Sequence, residues 1–139
     1  MLMTTTKQSF HMAAAALMTL LSSNLAANET ITAAVDQYVR AQTRGLPGRV
    51  DVTVAALDPR TQVSSCTALD PFTPPGNRLW GKTMVGVRCL APAAWTIYVP
   101  VQVRVYAPYV VTNRPISAGQ LLSATDLDSR EGDLTTLPT

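Results

Sequence analysis

The chain has 139 residues, 47% of them hydrophobic and 14% charged, which fits one compact domain or two small ones and excludes an intrinsically disordered chain. Its formal net charge of +2, from 11 Lys and Arg against 9 Asp and Glu, is too small to imply a nucleic-acid partner. The single histidine, His11, falls in a segment expected to be removed, so His-dependent triads, His-ligated zinc and imidazole pH switches are excluded from the mature chain.

Residues 1–27 read as a secretory signal peptide. Lys7 supplies a positive start, Met12 to Leu21 a short uncharged and mostly apolar run, and Ser22 to Ala27 a small-residue stretch suited to cleavage after Ala26 or Ala27. The apolar run is shorter than the roughly 20 residues a spanning helix needs. The next long apolar stretch alternates and contains Pro100 and Arg104, so no membrane association is expected after cleavage. The chain is therefore expected in an exported, oxidising compartment.

From about Thr30 to Thr43, Ile31, Ala34, Val35, Tyr38 and Val39 recur at helical spacing, with Asp36, Gln37, Arg40 and Gln42 elsewhere on the wheel. Gly45, Pro47 and Gly48 end that helix, and its apolar stripe is read as core. Everything after Gly48 reads as strands. Val50, Val52 and Val54 alternate with Asp51, Thr53 and Ala55, as in a half-buried antiparallel strand. Asp58-Pro59-Arg60 is expected to turn, a second short strand to surround Cys66, and Pro71 to Arg78 to form a loop. Thr83, Val85, Val87 and Cys89 alternate with Met84, Gly86, Arg88 and Leu90, and Ala91-Pro92-Ala93 makes another turn. The longest alternation sets Trp95, Ile97, Val99, Val101, Val103 and Val105 on one face, with Thr96, Tyr98, Pro100, Gln102, Arg104 and Tyr106 on the other. A strand of that length spans ~40 Å, and Pro100 removes a ladder donor, which predicts an edge or a bend there. Such a ribbon suits a passage from one small domain into the next.

Cys66 and Cys89 are the only cysteines, so export predicts a structural disulfide between them. Closing that loop removes roughly 3 kcal/mol of unfolded-chain entropy. Catalytic signatures are missing: there is no G-x-S-x-G, H-E-x-x-H, Walker or G-x-G-x-x-G motif. Lys82 near Ser64 or Ser65 reads as a solvated strand-end lysine. Asp126, Asp128, Glu131 and Asp133 read as a solvated turn, because a calcium loop would need glycine where Glu131 stands and an oxygen ligand where Arg130 stands. No catalytic residue, cofactor or metal ligand is therefore assigned.

Two segments are more distinctive. Leu79-Trp80-Gly81-Lys82-Thr83-Met84-Val85-Gly86-Val87-Arg88-Cys89, followed by Trp95-Thr96-Ile97-Tyr98-Val99-Pro100-Val101-Gln102-Val103, resembles the signature region of the flagellar basal-body P-ring formation protein family. Arg114-Pro115-Ile116-Ser117-Ala118-Gly119-Gln120-Leu121-Leu122 with Asp126-Leu127 resembles the start of that family's SAF-type module, a β-clip fold. The resemblance implies an α+β, mainly antiparallel β protein. A helix-plus-sheet domain over 28–105 would be followed, over 106–139, by the beginning of an incomplete β-clip domain with one clear strand from Val105 to Val111. It also implies a periplasmic assembly factor, not an enzyme, that binds P-ring subunits and assists their polymerisation around the rod. An incomplete module would leave strand edges that invite self-association. The stretch Trp95–Tyr106 reads first as a strand paired within the chain; as an exposed edge it offers a route for pairing an incoming subunit strand, with Trp95, Tyr98, Pro100, Gln102 and Arg104 as candidate residues. The alternative function is a small-ligand or carbohydrate-binding β-clip module, which would show a concave pocket with convergent polar groups.

Overall fold

Ile31, Val35 and Val39 line one face of a helix and are buried against a sheet made almost entirely of valines. The computed structural model describes residues 12–138, with side chains from Ala27 onward. Of the expected signal peptide, 1–27, residues 1–11 lie outside the described residues, and 12–26 are described by their backbone alone. The elements in chain order are α1 (Met12–Gln42), β1 (Arg49–Val54), β2 (Leu69–Phe72), β3 (Gly81–Cys89), β4 (Trp95–Thr112) and β5 (Leu127–Asp133). Two 3-10 turns, Ala124–Asp126 and Leu134–Thr136, bracket β5. Among the described residues no helix is long and apolar enough to cross a membrane.

The fold is α+β and mainly antiparallel, one helix on a curled sheet. Helix α1 begins earlier than the apolar stripe predicts, because the preceding segment is rich in Ala, Leu and Met, which favour helix whatever they face. It ends where expected, and the Thr43 hydroxyl donates to the Val39 carbonyl at 2.8 Å in its last turn. The Tyr38 hydroxyl meets Thr73 Oγ1 and accepts from the Thr73 N–H, each at 3.0 Å, tying the helix to the segment after β2.

The sheet order is β1-β4-β3-β2, with β5 pairing the far half of β4. Val85, Val87, Val99, Val101, Val103 and Val105 point toward α1 and are fully or nearly fully buried. Each such side chain contributes about 1.5–3 kcal/mol through burial. The opposite face stays open, as the alternation requires.

β4 runs for 18 residues and passes Tyr106 without a break. The Pro100 carbonyl accepts from Ala55 N–H on the β1 side, so even-numbered residues of β4 turn their backbone groups toward β1 and odd-numbered ones toward β3. β1 pairs with Val101 to Tyr106 only. Pro108 sits past one end of β1 with its nitrogen facing an unpaired position, while Pro100 sits past the other opposite Ala55, from which it accepts but to which it cannot donate. The sequence offered an edge or a bend at Pro100, and the strand is an edge on that side up to that residue.

Three local expectations differ from the structure. Cys66 makes an isolated bridge to Pro92 instead of a strand, and the strand lies at Leu69–Phe72, inside the segment read in part as loop. Pro71 is tolerated there because its nitrogen faces the outer side of β2, away from β3. The acidic segment after Asp126 is β5 and not a turn. No apolar alternation marks it, because its residues are mostly exposed and its pairing with β4 alone makes it a strand.

Candidate functional site

Cross-strand register builds the open face of the sheet. Gln102 lies between Thr53 and Lys82, Arg104 beside Asp51, Pro100 beside Met84, and Tyr98 beside Gly86. Of the five candidate contact residues, Tyr98, Pro100, Gln102 and Arg104 thus form one row on this face. Trp95 points to the other face, where its ring packs on the core and its Nε1–H donates to the Ser64 carbonyl at 3.0 Å. β4 is paired with β3 from Trp95 to Val103 and with β1 from Val101 to Tyr106, so its free side within the candidate edge is the β1 side of residues 95–99.

Sequence reasoning missed an aromatic cluster on the same face. The Phe72 ring lies over Gly86 so closely that a methyl group there would overlap it. The Arg88 guanidinium stacks 4.5 Å from the ring centroid and donates to Asp70 at 2.9 Å. Tyr98 meets Phe72 edge to face, with centroids 6.4 Å apart, and is 54% exposed. A glycine inside a valine-rich strand was the available signal that another group approaches the backbone. The face carries Arg49, Lys82, Arg88 and Arg104 against Asp51 and Asp70, so it is mildly basic around a half-exposed aromatic and methionine patch.

One corner of the sheet is cross-linked. Cys66 and Cys89 form the disulfide, with Cα atoms 5.8 Å apart. Cys89 is buried on the valine side of β3, as its alternation predicts. Thr67 N–H donates to the Ala91 carbonyl and Leu90 N–H to the Ala68 carbonyl, so the long connection after β1 is held against the sheet.

The segment Arg114–Leu127 closes on itself. Arg114 Nε donates to Asp126 Oδ1 at 2.7 Å, and Ser123 donates to Asp126 Oδ2 from both its N–H and its hydroxyl at 3.0 Å. The Arg114 hydrogen bond, then those from Ser123, hold the Asp126 carboxyl below the usual carboxylate range. Leu121, at the tip of this loop, is 92% exposed. At the far end of β5, burial pushes the Asp133 carboxyl up. Donation from Thr135 and from Val105 N–H, with the charge of Arg104, outweighs burial and leaves it below its ordinary value.

Surface troughs flank the sheet. One of about 910 Å³ runs between α1 and the free side of β1, lined by Glu29, Thr32, Ala33, Asp36, Val52, Val54 and Leu57 among others. A smaller one, about 350 Å³, continues past Val50 to Arg40 and Arg44. A third, about 1090 Å³, lies between the Asp58-Pro59-Arg60 turn and Tyr98. Among the described residues no cluster of His, Cys, Asp or Glu could hold a metal ion.

Comparison with known proteins matches residues 31–105 to the family described as the FlgA N-terminal domain. A curated relative, the flagella basal body P-ring formation protein FlgA of Yersinia enterocolitica, is 28% identical over 104 residues, covering 75% of this chain and 44% of that protein. The crystal structure of Salmonella FlgA in closed form superposes with a TM-score of 0.56 at 26% identity, over 78% of this chain and 52% of that one. The open form of Salmonella FlgA gives 0.52 at 25% identity, covering 78% and 48%. The chain thus spans about half the length of the relatives it matches. With its helix, its valine sheet and the cysteine-linked corner inside the matched span, the chain belongs to the FlgA family, of which it carries the N-terminal domain.

Proposed function

We propose that the chain acts as a periplasmic assembly factor for the flagellar P-ring, binding P-ring subunits and assisting their polymerisation around the rod, and that it is not an enzyme. The observation that carries this reading is the family match over residues 31–105, which contains both the Trp80–Cys89 and the Trp95–Val103 segments. Export by the signal peptide at 1–27 places it in the periplasm, free of the membrane after cleavage. The division into a helix-plus-sheet domain, 28–105, and the beginning of a SAF-type β-clip, 106–139, is supported by the end of the family match at Val105. Subunit contact falls on the candidate row Tyr98, Pro100, Gln102 and Arg104, where an exposed aromatic, a flat proline and a cation share one face.

The test is genetic. A strain lacking the gene is expected to export P-ring subunits normally but to leave them unassembled, so that cells are non-motile. The 139-residue chain alone is expected to restore motility poorly. Normal rings in the deletion strain would overturn the assembly reading.

A further inference from the structure

We propose that the free side of β1 is a docking edge for an extended segment of a partner protein. The segment enters antiparallel to β1, with a basic residue at its N-terminal end, apolar residues at alternate positions, and an acidic residue at its C-terminal end. The first observation is where the prolines lie. Pro71 turns its nitrogen to the outer side of β2, Pro108 turns its own to the open side of β4 beyond one end of β1, and Pro100 ends the β1 ladder at Ala55 beyond the other. Each removes a donor from an edge that could otherwise recruit a strand. The outer side of β5 is guarded by charge instead, through Asp128, Arg130 and Glu131. β1 has no proline, and its two charges, Arg49 and Asp51, pair with each other on the open face, away from the α1 side. Arg49, Asp51 and Thr53 bond to β4, so Val50, Val52 and Val54 present every outward N–H and C=O of this edge unpaired among the described residues.

The second observation is the trough beside that edge. A segment added to β1 sets alternate side chains on the same face as Val50, Val52 and Val54, where the space beneath α1 is lined by Val52, Val54, Leu57 and Ala33. The charges give direction. Asp36 and Arg40 neutralise each other at 2.6 Å along the helix wall. Glu29 at the Val54 end and Arg44 at the Val50 end have no ion-pair partner among the described residues. An antiparallel segment begins beside Glu29 and ends beside Arg44, hence its basic start and acidic finish. A second copy of this chain fits less well. Its own α1 stands beside its β1, so two polar helix walls, with Thr32, Asp36, Arg40 and Arg44, would meet over the seam. A bare extended segment brings no such wall.

The probe is the capped, fluorescein-labelled peptide Lys-Ser-Val-Ser-Val-Thr-Val-Ser-Glu, whose Lys and Glu share the face of its valines, titrated into the full chain and read by anisotropy, with amide exchange followed residue by residue. Saturable binding is expected, with exchange at Val50, Val52 and Val54 slowed at least about tenfold and Asp51 and Thr53 unchanged. The peptide with Lys and Glu interchanged should bind about tenfold more weakly. Val52→Pro removes a donor that faces only the open side and should abolish binding. Ala33→Trp fills the trough from the exposed helix wall, leaves the β1 backbone untouched, and should also abolish it. The proposal is overturned if no binding occurs up to about 1 mM peptide, if protection falls on another strand, or if both variants bind normally. It is equally overturned if the chain alone sediments as a dimer with Val50, Val52 and Val54 protected, since a second copy would then be the occupant.

Discussion

Gly86 is a small residue with a large neighbour. Phe72 occupies the space a side chain would need, and Arg88 and Tyr98 hold the ring in place. Gly86→Ala is expected to destabilise the fold by about 1–3 kcal/mol, as overpacking does, and urea titration measures it. In a Phe72→Ala background the same substitution should cost much less, because the clash is gone; equal costs in both backgrounds would refute the contact. Asp126 gives a pH signature. Its carboxyl titrates below its unfolded value, so its stabilisation is fully present above the unfolded pKa, about 3.9, and disappears as pH falls through the lower folded pKa. Asp126→Asn should therefore lower stability at pH 7 and flatten the acid limb of the stability curve, measurable by urea unfolding from pH 7 to pH 2.5. Gly86 signalled a close approach, but neither its partner nor that of Asp126 was legible beforehand. Gly86 and Phe72 are far apart in sequence, and Asp126 looked like one of several exposed acids until Arg114 and Ser123 closed around it.

At the scale of elements, what repeats regularly was readable. Ile31, Val35 and Val39 recur at helical spacing and the valines of β3 and β4 at strand spacing, so their burial followed from periodicity. Val35→Ala should accordingly cost about 2 kcal/mol in urea unfolding, while Met84→Ala on the open face should change stability by less than about 0.5 kcal/mol. β2 and β5 were hidden for different reasons. Pro71 mimics a strand breaker but is harmless on an outer edge, and β5 has no apolar rhythm because β4 alone supports it. The disulfide was readable from export and count, since two cysteines allow one pairing. Replacing both with alanine should lower stability by about 3 kcal/mol, with the loss read from the denaturant midpoint of oxidised and reduced protein. Part of the candidate row was readable too. Alternation placed Tyr98, Pro100, Gln102 and Arg104 on one face, but which strands flank β4, and on which side, is a non-local matter that no local pattern encodes.

Across the whole molecule β4 is the spine. It touches β1, β3 and β5, and has a partner strand on both sides at its middle, Val101 to Val103, and again at Tyr106, between Arg49 and Asp133. Hydrogen exchange should follow that division, slowest at residues 101–103 and fastest on the β1 side of Thr96, Tyr98, Val110 and Thr112; uniform protection along β4 would contradict the register. The three edge prolines bear on how the protein behaves in bulk solution. A chain built from alternating valines is the kind of sequence that gels or forms fibrils when strands of neighbouring molecules find each other, and the ring nitrogens at 71, 100 and 108 interrupt that growth along the outer side of β2 and the open stretches of β4, leaving β1 as the edge they do not guard. Colloidal stability thus leans on three ring nitrogens and on whatever covers β1 more than on net charge, which at +2 gives little repulsion between molecules.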